Sequence, residues 1–144
     1  MSLPHAGRLL GIDWGAKRIG LAICDPSQTV ATPLGTLTRR AGRRFPMSQL
    51  RPHLDRHQPV GVVIGLPLDQ QVLEGPAAVE ARAIGELIAA KTGLPVSYWD
   101  ERMTTARVHQ ARREVGAARG RAPAEVDPLA ATLVLQAFLE RRRS

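Results

Sequence analysis

Apolar positions open the chain as two short, nearly uninterrupted runs. Residues 8–14 (RLLGIDW) read as a buried strand, and residues 18–25 (RIGLAICD) as a second of similar length. The brief Gly15-Ala16-Lys17 connection predicts that the two pair as an antiparallel hairpin. Residues 29–38 (TVATPLGTLT) mix β-favouring Thr and Val with Pro33 and Gly35, which predicts a third strand at a sheet edge. After a basic loop, Leu50 and Leu54 stand at helical spacing ahead of a stop at Pro59, with Pro52 leaving the start of that helix open. Val60 to Leu66 is uncharged and β-branched and closes on Gly65 and Pro67, the pattern of a strand buried on both faces.

Residues 77–92 predict a helix with Ala77, Ala81, Ile84 and Ile88 on one face and Glu80 and Glu86 on the other. Leu94 to Trp99 is a short strand that delivers Asp100, Glu101 and Arg102 at its end. Thr104 or Thr105 can cap a helix to about Gly116, and residues 115–125 (VGAARGRAPAE) predict a mobile basic loop. Asp127 and Pro128 have the residue types of an N-cap and first turn, so the last helix is expected to start there, with Thr132, Gln136 and Glu140 as its one polar stripe. Strands alternating with helices after a hairpin give an α/β fold: a central mixed sheet flanked by helices, in a single domain over 1–144.

The 144 residues suit one domain with one substantial core, built from aliphatic residues because only 3% are aromatic against 44% hydrophobic. A formal net charge of +7, carried almost wholly by arginine, makes a polyanion the first partner to consider. The charge is uneven: residues 1–60 sum to +6, 61–101 to −4 and 102–144 to +5. The lone Cys24 excludes a disulfide framework and suits a reducing compartment. The longest uncharged apolar run, Pro128 to Leu139, is shorter than the roughly 20 residues of a membrane span. With no secretory signal pattern at the start, a soluble cytoplasmic protein is expected.

Asp13 is the most informative residue, because a carboxylate within an apolar strand is costly to bury unless it meets a cation or an accessible strand end. Its plain alternative is the start of the turn at Gly15. Asp100 and Glu101 end another strand, where the plain alternative is a solvated turn, and Asp127 can serve simply as a helix cap. Together, carboxylates from three separate elements can converge at one edge of the sheet, as hard Mg²⁺ or Mn²⁺ ions require. Two such ions would stabilise the attacking water and the leaving oxygen of phosphodiester hydrolysis. The basic flanks fit this picture, since a carboxylate cluster repels nucleic acid unless cations offset it.

Other chemistries fare worse. His53 and His57 flank Asp55 without the Glu of a zinc-protease helix, so they read as a solvated helix face. Gly15 to Gly20 has the outer spacing of a phosphate loop, but Leu21 and Ala22 follow where Lys and Ser or Thr belong. Trp14, Tyr98 and Trp99 read as core or rim rather than as a base-stacking platform.

Four motifs stand in register: GIDWGAKRIGLA at 11–22, IGLPL at 64–68, WDERMTT at 99–105 and VDPLAATLVLQAFL at 126–139. In this order they resemble the YqgF/RuvX family, Holliday-junction-resolvase-like proteins also described as candidate pre-16S rRNA nucleases. The resemblance spans nearly the whole chain, with Trp14 and Met103 replacing another aromatic and a Leu. It implies a ribonuclease H-like fold whose acidic residues bind Mg²⁺ or Mn²⁺ for phosphodiester cleavage. Carried over by position, the acids are Asp13, Glu101 and Asp127. Asp100 is the runner-up to Glu101, since neighbours on a strand point to opposite faces. In that scheme Asp13 bridges two ions, and Glu101 and Asp127 each hold one.

Lys17, Arg18 and Arg102 neighbour these acids and are expected to bind phosphates, with Arg119, Arg121 and the 39–44 loop gripping the strand further out. The resemblance leaves precursor 16S rRNA and branched DNA both open as the nucleic-acid partner. A junction resolvase needs two sites on symmetric strands, so that substrate implies a homodimer. The competing readings are a non-catalytic nucleic-acid-binding module in ribosome assembly and a phosphotransferase resembling actin-like sugar kinases, whose first phosphate-binding turn residues 12–17 resemble. The latter need two such domains around ATP.

Overall fold

The computed structural model describes residues 2–14, 18–38, 45–66, 75–101 and 123–143, with the side chains of 77 and 123–127 outside that description. Its elements are β1 (Leu9–Trp14), β2 (Arg18–Cys24), β3 (Ala31–Thr38), α1 (Met47–His57), β4 (Gly61–Leu66), α2 (Pro76–Thr92), β5 (Val96–Asp100) and α3 (Pro123–Arg143). The strands form one mixed sheet in the order β3-β2-β1-β4-β5. The hairpin pairs antiparallel, with Asp13 opposite Gly20, and β4 and β5 join by parallel pairing as crossover helices require. β3 occupies an edge, as its Pro33 foretold, and a bulge shifts its register between Leu21 and Ala22.

Alternation along β1 sorts its side chains between two cores. Leu10 and Ile12 face α1 and α2, among Leu21, Leu50, Leu54, Val62, Ile64, Ala81 and Ile88. Leu9 faces α3, with Val63, Ala131, Val134, Leu135 and Leu139. Both faces are thus dry, which explains why β1 and β4 read as continuous apolar runs rather than alternating ones. Cys24 is buried on the α3 face, where its Sγ accepts a hydrogen bond from the Leu9 N–H at 3.1 Å. Burial pushes its thiol above the usual cysteine range.

Gly11 sets how closely α3 lies on the sheet. A Cβ there would stand 2.9 Å from the Leu135 Cβ and 3.3 Å from the Ala131 carbonyl oxygen, so only a glycine admits the helix at this depth. Farther along, α3 is tied to β3 through Gln136. Its Oε1 accepts from the Ala31 N–H at 2.8 Å and its Nε2 donates to the Thr29 carbonyl at 3.1 Å. Gln49 of α1 does the same at the other end of β3, accepting from the Thr38 N–H and donating to its carbonyl, both at 3.1 Å. The two amides satisfy backbone groups that an edge strand would otherwise present to solvent or to another chain.

Several expectations are corrected. The last helix starts at Pro123, not at Asp127, so Asp127 is its fifth residue rather than its cap and Pro128 lies inside it. Pro123 itself supplies the fixed φ that favours a first helical position, and residues 123–125 belong to the helix instead of a loop. α1 runs through Pro52, which lies on the exposed face while Leu50 and Leu54 are buried. On α2 the buried alanines are Ala78 and Ala81, and the side chain of Ala77 lies outside the described residues. β5 begins at Val96 and includes Asp100, paired with Leu66, so that residue belongs to the strand and not to a turn. The helix expected at 104–116 lies outside the described residues. Among them, no helix is long and apolar enough to cross a membrane.

The close seat of α3 generates a stability prediction. Gly11→Ala should destabilise the fold by about 1–3 kcal/mol, the usual effect of overpacking a tight contact. Urea denaturation midpoints of the two proteins at equal slope check it.

Candidate active site

Strand alternation decides which carboxylates share a face. Leu9 and Gly11 face α3, so Asp13 does too, at the end of the central strand. Its side chain is buried, only 5% exposed, and it is paired across the hairpin with Gly20. The turn reading of Asp13 is therefore wrong: the residue is an integral part of β1. On the other side β1 runs parallel to β4 with Ile12 beside Ile64, so the next position in that register sets Gly65 beside Asp13. Val63 and Gly65 also face α3.

Glu101 follows directly on β5, and its side chain folds across β4 into the space above Gly65. A Cβ on Gly65 would stand 2.7 Å from Glu101 Oε1, 3.3 Å from Cγ and 3.4 Å from Cδ. Gly65 is on the strand next to β1, and neighbouring strands of a sheet lie roughly 4.8 Å apart. Asp100 alternates to the opposite face, the one covered by α1 and α2, where its neighbour Tyr98 packs. Of the two adjacent acids, Glu101 is the one that lies over Gly65, on the sheet face that carries Asp13.

The path of α3 sets the level of the third acid. Arg142 at its C-terminal end donates to the carbonyls of Leu3, at 2.7 Å, and Pro4, at 3.1 Å, near the start of β1. The helix therefore runs antiparallel to β1, with its N-terminal end toward Asp13. Ala131 and Leu135 lie over Gly11. Asp127 is one turn earlier, roughly 6 Å along the axis, and Asp13 is two residues beyond Gly11, a comparable rise of roughly 6.6 Å. The backbone of Asp127 is at the level of Asp13, and its side chain lies outside the described residues.

Arg18 reaches the same face. It stands two residues from Gly20, the partner of Asp13, and so occupies the diagonal position across the hairpin, within reach of a long side chain. Lys17, Arg102, Arg119 and Arg121 lie outside the described residues. The aromatic residues divide between the faces, with Trp14, Phe45 and Tyr98 on the α1 and α2 side and Trp99 and Phe138 on the α3 side. Trp14 stacks on Phe45 at 6.4 Å between centroids and donates through Nε1 to Glu80 at 2.7 Å, and Trp99 meets Phe138 edge-on at 6.0 Å. Tyr98 donates to the Arg82 carbonyl at 3.1 Å, and burial pushes its phenol above the usual range. Three of these rings, Trp14, Trp99 and Tyr98, are half-buried in packing contacts, in keeping with their reading as core or rim rather than as a base-stacking platform.

The donor set tests the expected ion. Two carboxylates on neighbouring strands repel each other unless a cation lies near, and oxygen donors of this kind suit hard divalent ions such as Mg²⁺ and Mn²⁺. Among the described residues no group of three or more potential metal ligands converges, and a three-acid set would need the side chain of Asp127. Gly65 was not singled out from the sequence as a site residue. Its only signal is its place in the IGLPL run, because the contact with Glu101 depends on the pairing of β4 with β5.

Comparison with known proteins places this geometry. Residues 7–141 match the family model described as RuvX, Holliday junction resolvase. A relative from Paramagnetospirillum magneticum, named as a candidate pre-16S rRNA nuclease, is 38% identical over 98% of this chain and 90% of its own length. One of the same name from Clostridium botulinum is 37% identical over 93% and 97%. The fold is similar to that of Thermus thermophilus RuvC solved with a Holliday junction substrate, with a TM-score of 0.59 and 18% identity over 96% of this chain and 97% of that one. The mixed five-stranded sheet is therefore of the ribonuclease H-like kind, and the chain belongs to the RuvX family.

Proposed function

We propose that the protein is a divalent-metal-dependent endonuclease acting on structured nucleic acid, cleaving at the 5′ end of precursor 16S rRNA, resolving four-way DNA junctions, or both. The observation that carries this reading is the buried Asp13 with Glu101 folded toward it over Gly65, on the face that α3 covers. The names of the relatives and the likeness to RuvC support the same chemistry.

Asp13, Glu101 and Asp127 would hold Mg²⁺ or Mn²⁺, two ions in this reading. When bound, such ions activate water and stabilise the leaving oxygen of a phosphodiester. The protein's own part is orientation and charge. Burial of Asp13 in a rigid central strand fixes one acceptor and removes competing water, which strengthens its attraction for a cation. Arg18 would bind and orient a backbone phosphate beside the acids, joined by Lys17, Arg102, Arg119 and Arg121. No side-chain nucleophile is required. The whole chain, 1–144, acts as one domain, and junction resolution would further require a homodimer to present two sites.

Labelled four-way junction and precursor 16S rRNA, incubated with Mn²⁺, Mg²⁺ or chelator, test the reading. Cleavage should require metal and fall by roughly 100-fold or more in Asp13→Asn and Glu101→Gln, since each removes charge stabilisation at the reacting phosphate. Asp100→Asn, on the other face, should cleave close to wild type. If neither substrate is cut, a non-catalytic nucleic-acid-binding module takes the place of the enzyme, and if Asp13→Asn cuts equally well, the carboxylate site is overturned. Binding across a salt series gives a second check: Arg18→Ala should reduce the slope of log affinity against log salt by about 1, the signature of one lost phosphate contact.

A further inference from the structure

The position on β4 beside Asp13 carries no side chain, and the space is filled by a carboxylate from the next strand. We infer that Gly65 is a positioning residue: it leaves open the passage through which Glu101 crosses β4 to act with Asp13. This rests on the reading of Asp13 and Glu101 as metal ligands.

The geometry makes the glycine specific. A Cβ at 65 would stand 2.7 Å from Glu101 Oε1, closer than real Cβ atoms come, so the carboxylate at the end of this flexible side chain has to move, while Cγ and Cδ at 3.3 and 3.4 Å need give by only a few tenths of an ångström. The extra methyl group would displace the Glu101 carboxylate from the space above Gly65. The glycine is not called for by backbone conformation, since Gly65 lies in a regular strand without positive φ. Among the described residues a Cβ at 65 would meet Glu101 first, whereas at Gly11 it would meet α3. The Glu101 side chain is the group that occupies the space a side chain at 65 would take. The site is thus supplied from β5 across β4, which makes the register Gly65 opposite Trp99 and Leu66 opposite Asp100 part of its architecture.

The same geometry implies that the carboxylate can be moved. An aspartate at 65 carries its carboxyl carbon directly on the Cβ that sits within 2.7 Å of the present Glu101 Oε1. In a Gly65→Asp, Glu101→Gly double variant, the acid would come from β4 instead of β5 and occupy the volume that Glu101 vacates.

Mn²⁺ affinity, measured by electron paramagnetic resonance on the full chain, separates the outcomes, with thermal melts reporting folding. Glu101→Ala should bind Mn²⁺ more weakly. Gly65→Ala should do likewise by about 10- to 100-fold, the range seen when a ligand loses its support, with little change in melting temperature. The double variant should recover Mn²⁺ binding and metal-dependent cleavage relative to Glu101→Ala. If Glu101→Ala and Asp13→Asn both bind as wild type, the metal-site reading fails and the positioning role with it. If Glu101→Ala is defective but folded Gly65→Ala binds as wild type, the positioning role alone is overturned. If Gly65→Ala does not fold, the double variant decides, since it removes the collision: recovered binding supports the role of Gly65, and a folded protein with no recovery overturns it.

Discussion

Everything at the candidate site depends on how closely α3 can lie against the central strand. Gly11 permits that approach, and the helix then covers one face of β1 from its start toward its end. Because side chains alternate on a strand, the same face that receives Leu135 over Gly11 must carry Asp13 two residues later. Packing and chemistry are therefore one constraint. A residue that lifted α3 off the sheet would also displace the backbone of Asp127 from the level of Asp13.

The second determinant is electrostatic. Bringing Glu101 over Gly65 toward a buried Asp13 is unfavourable in isolation, because like charges in a poorly solvated place repel more strongly than in water. Such an arrangement persists when surrounding structure fixes it, and here a five-stranded sheet packed on both faces does so. Arg18 stands on the diagonal across the hairpin from Asp13, and a divalent cation would offset the carboxylate charge. The candidate acids do not follow the charge blocks of the sequence: Asp13 and Asp127 come from the basic flanks and only Glu101 from the acidic middle.

Much of this was legible in the sequence, and for physical reasons. The hairpin, the buried β4 and the edge position of β3 follow from local run length, β-branching and Pro33, signals that a short window contains. Asp13 stood out because a carboxylate in an apolar run is expensive. The preference for Glu101 over Asp100 came from resemblance and strand alternation, and Glu101 is the acid that lies over Gly65. The start of α3 was misread because Asp127 and Pro128 imitate a helix start, whereas Pro123 supplies one a turn earlier. What local pattern could not carry were contacts between distant segments. Gln136 pairs with the backbone of Thr29 and Ala31 more than a hundred residues away, and Gly65 matters only through Glu101 on the adjoining strand.

The central claim is that Asp13 and Glu101 together hold a divalent ion. Crystals of the wild-type protein soaked in Mn²⁺ and measured at a wavelength where manganese scatters anomalously test it without reference to any substrate. The account predicts an anomalous peak within about 2.5 Å of carboxylate oxygens from both residues, the reach of a hard-cation contact. A structure with no peak at these two side chains, or with manganese bound only elsewhere on the molecule, would contradict it.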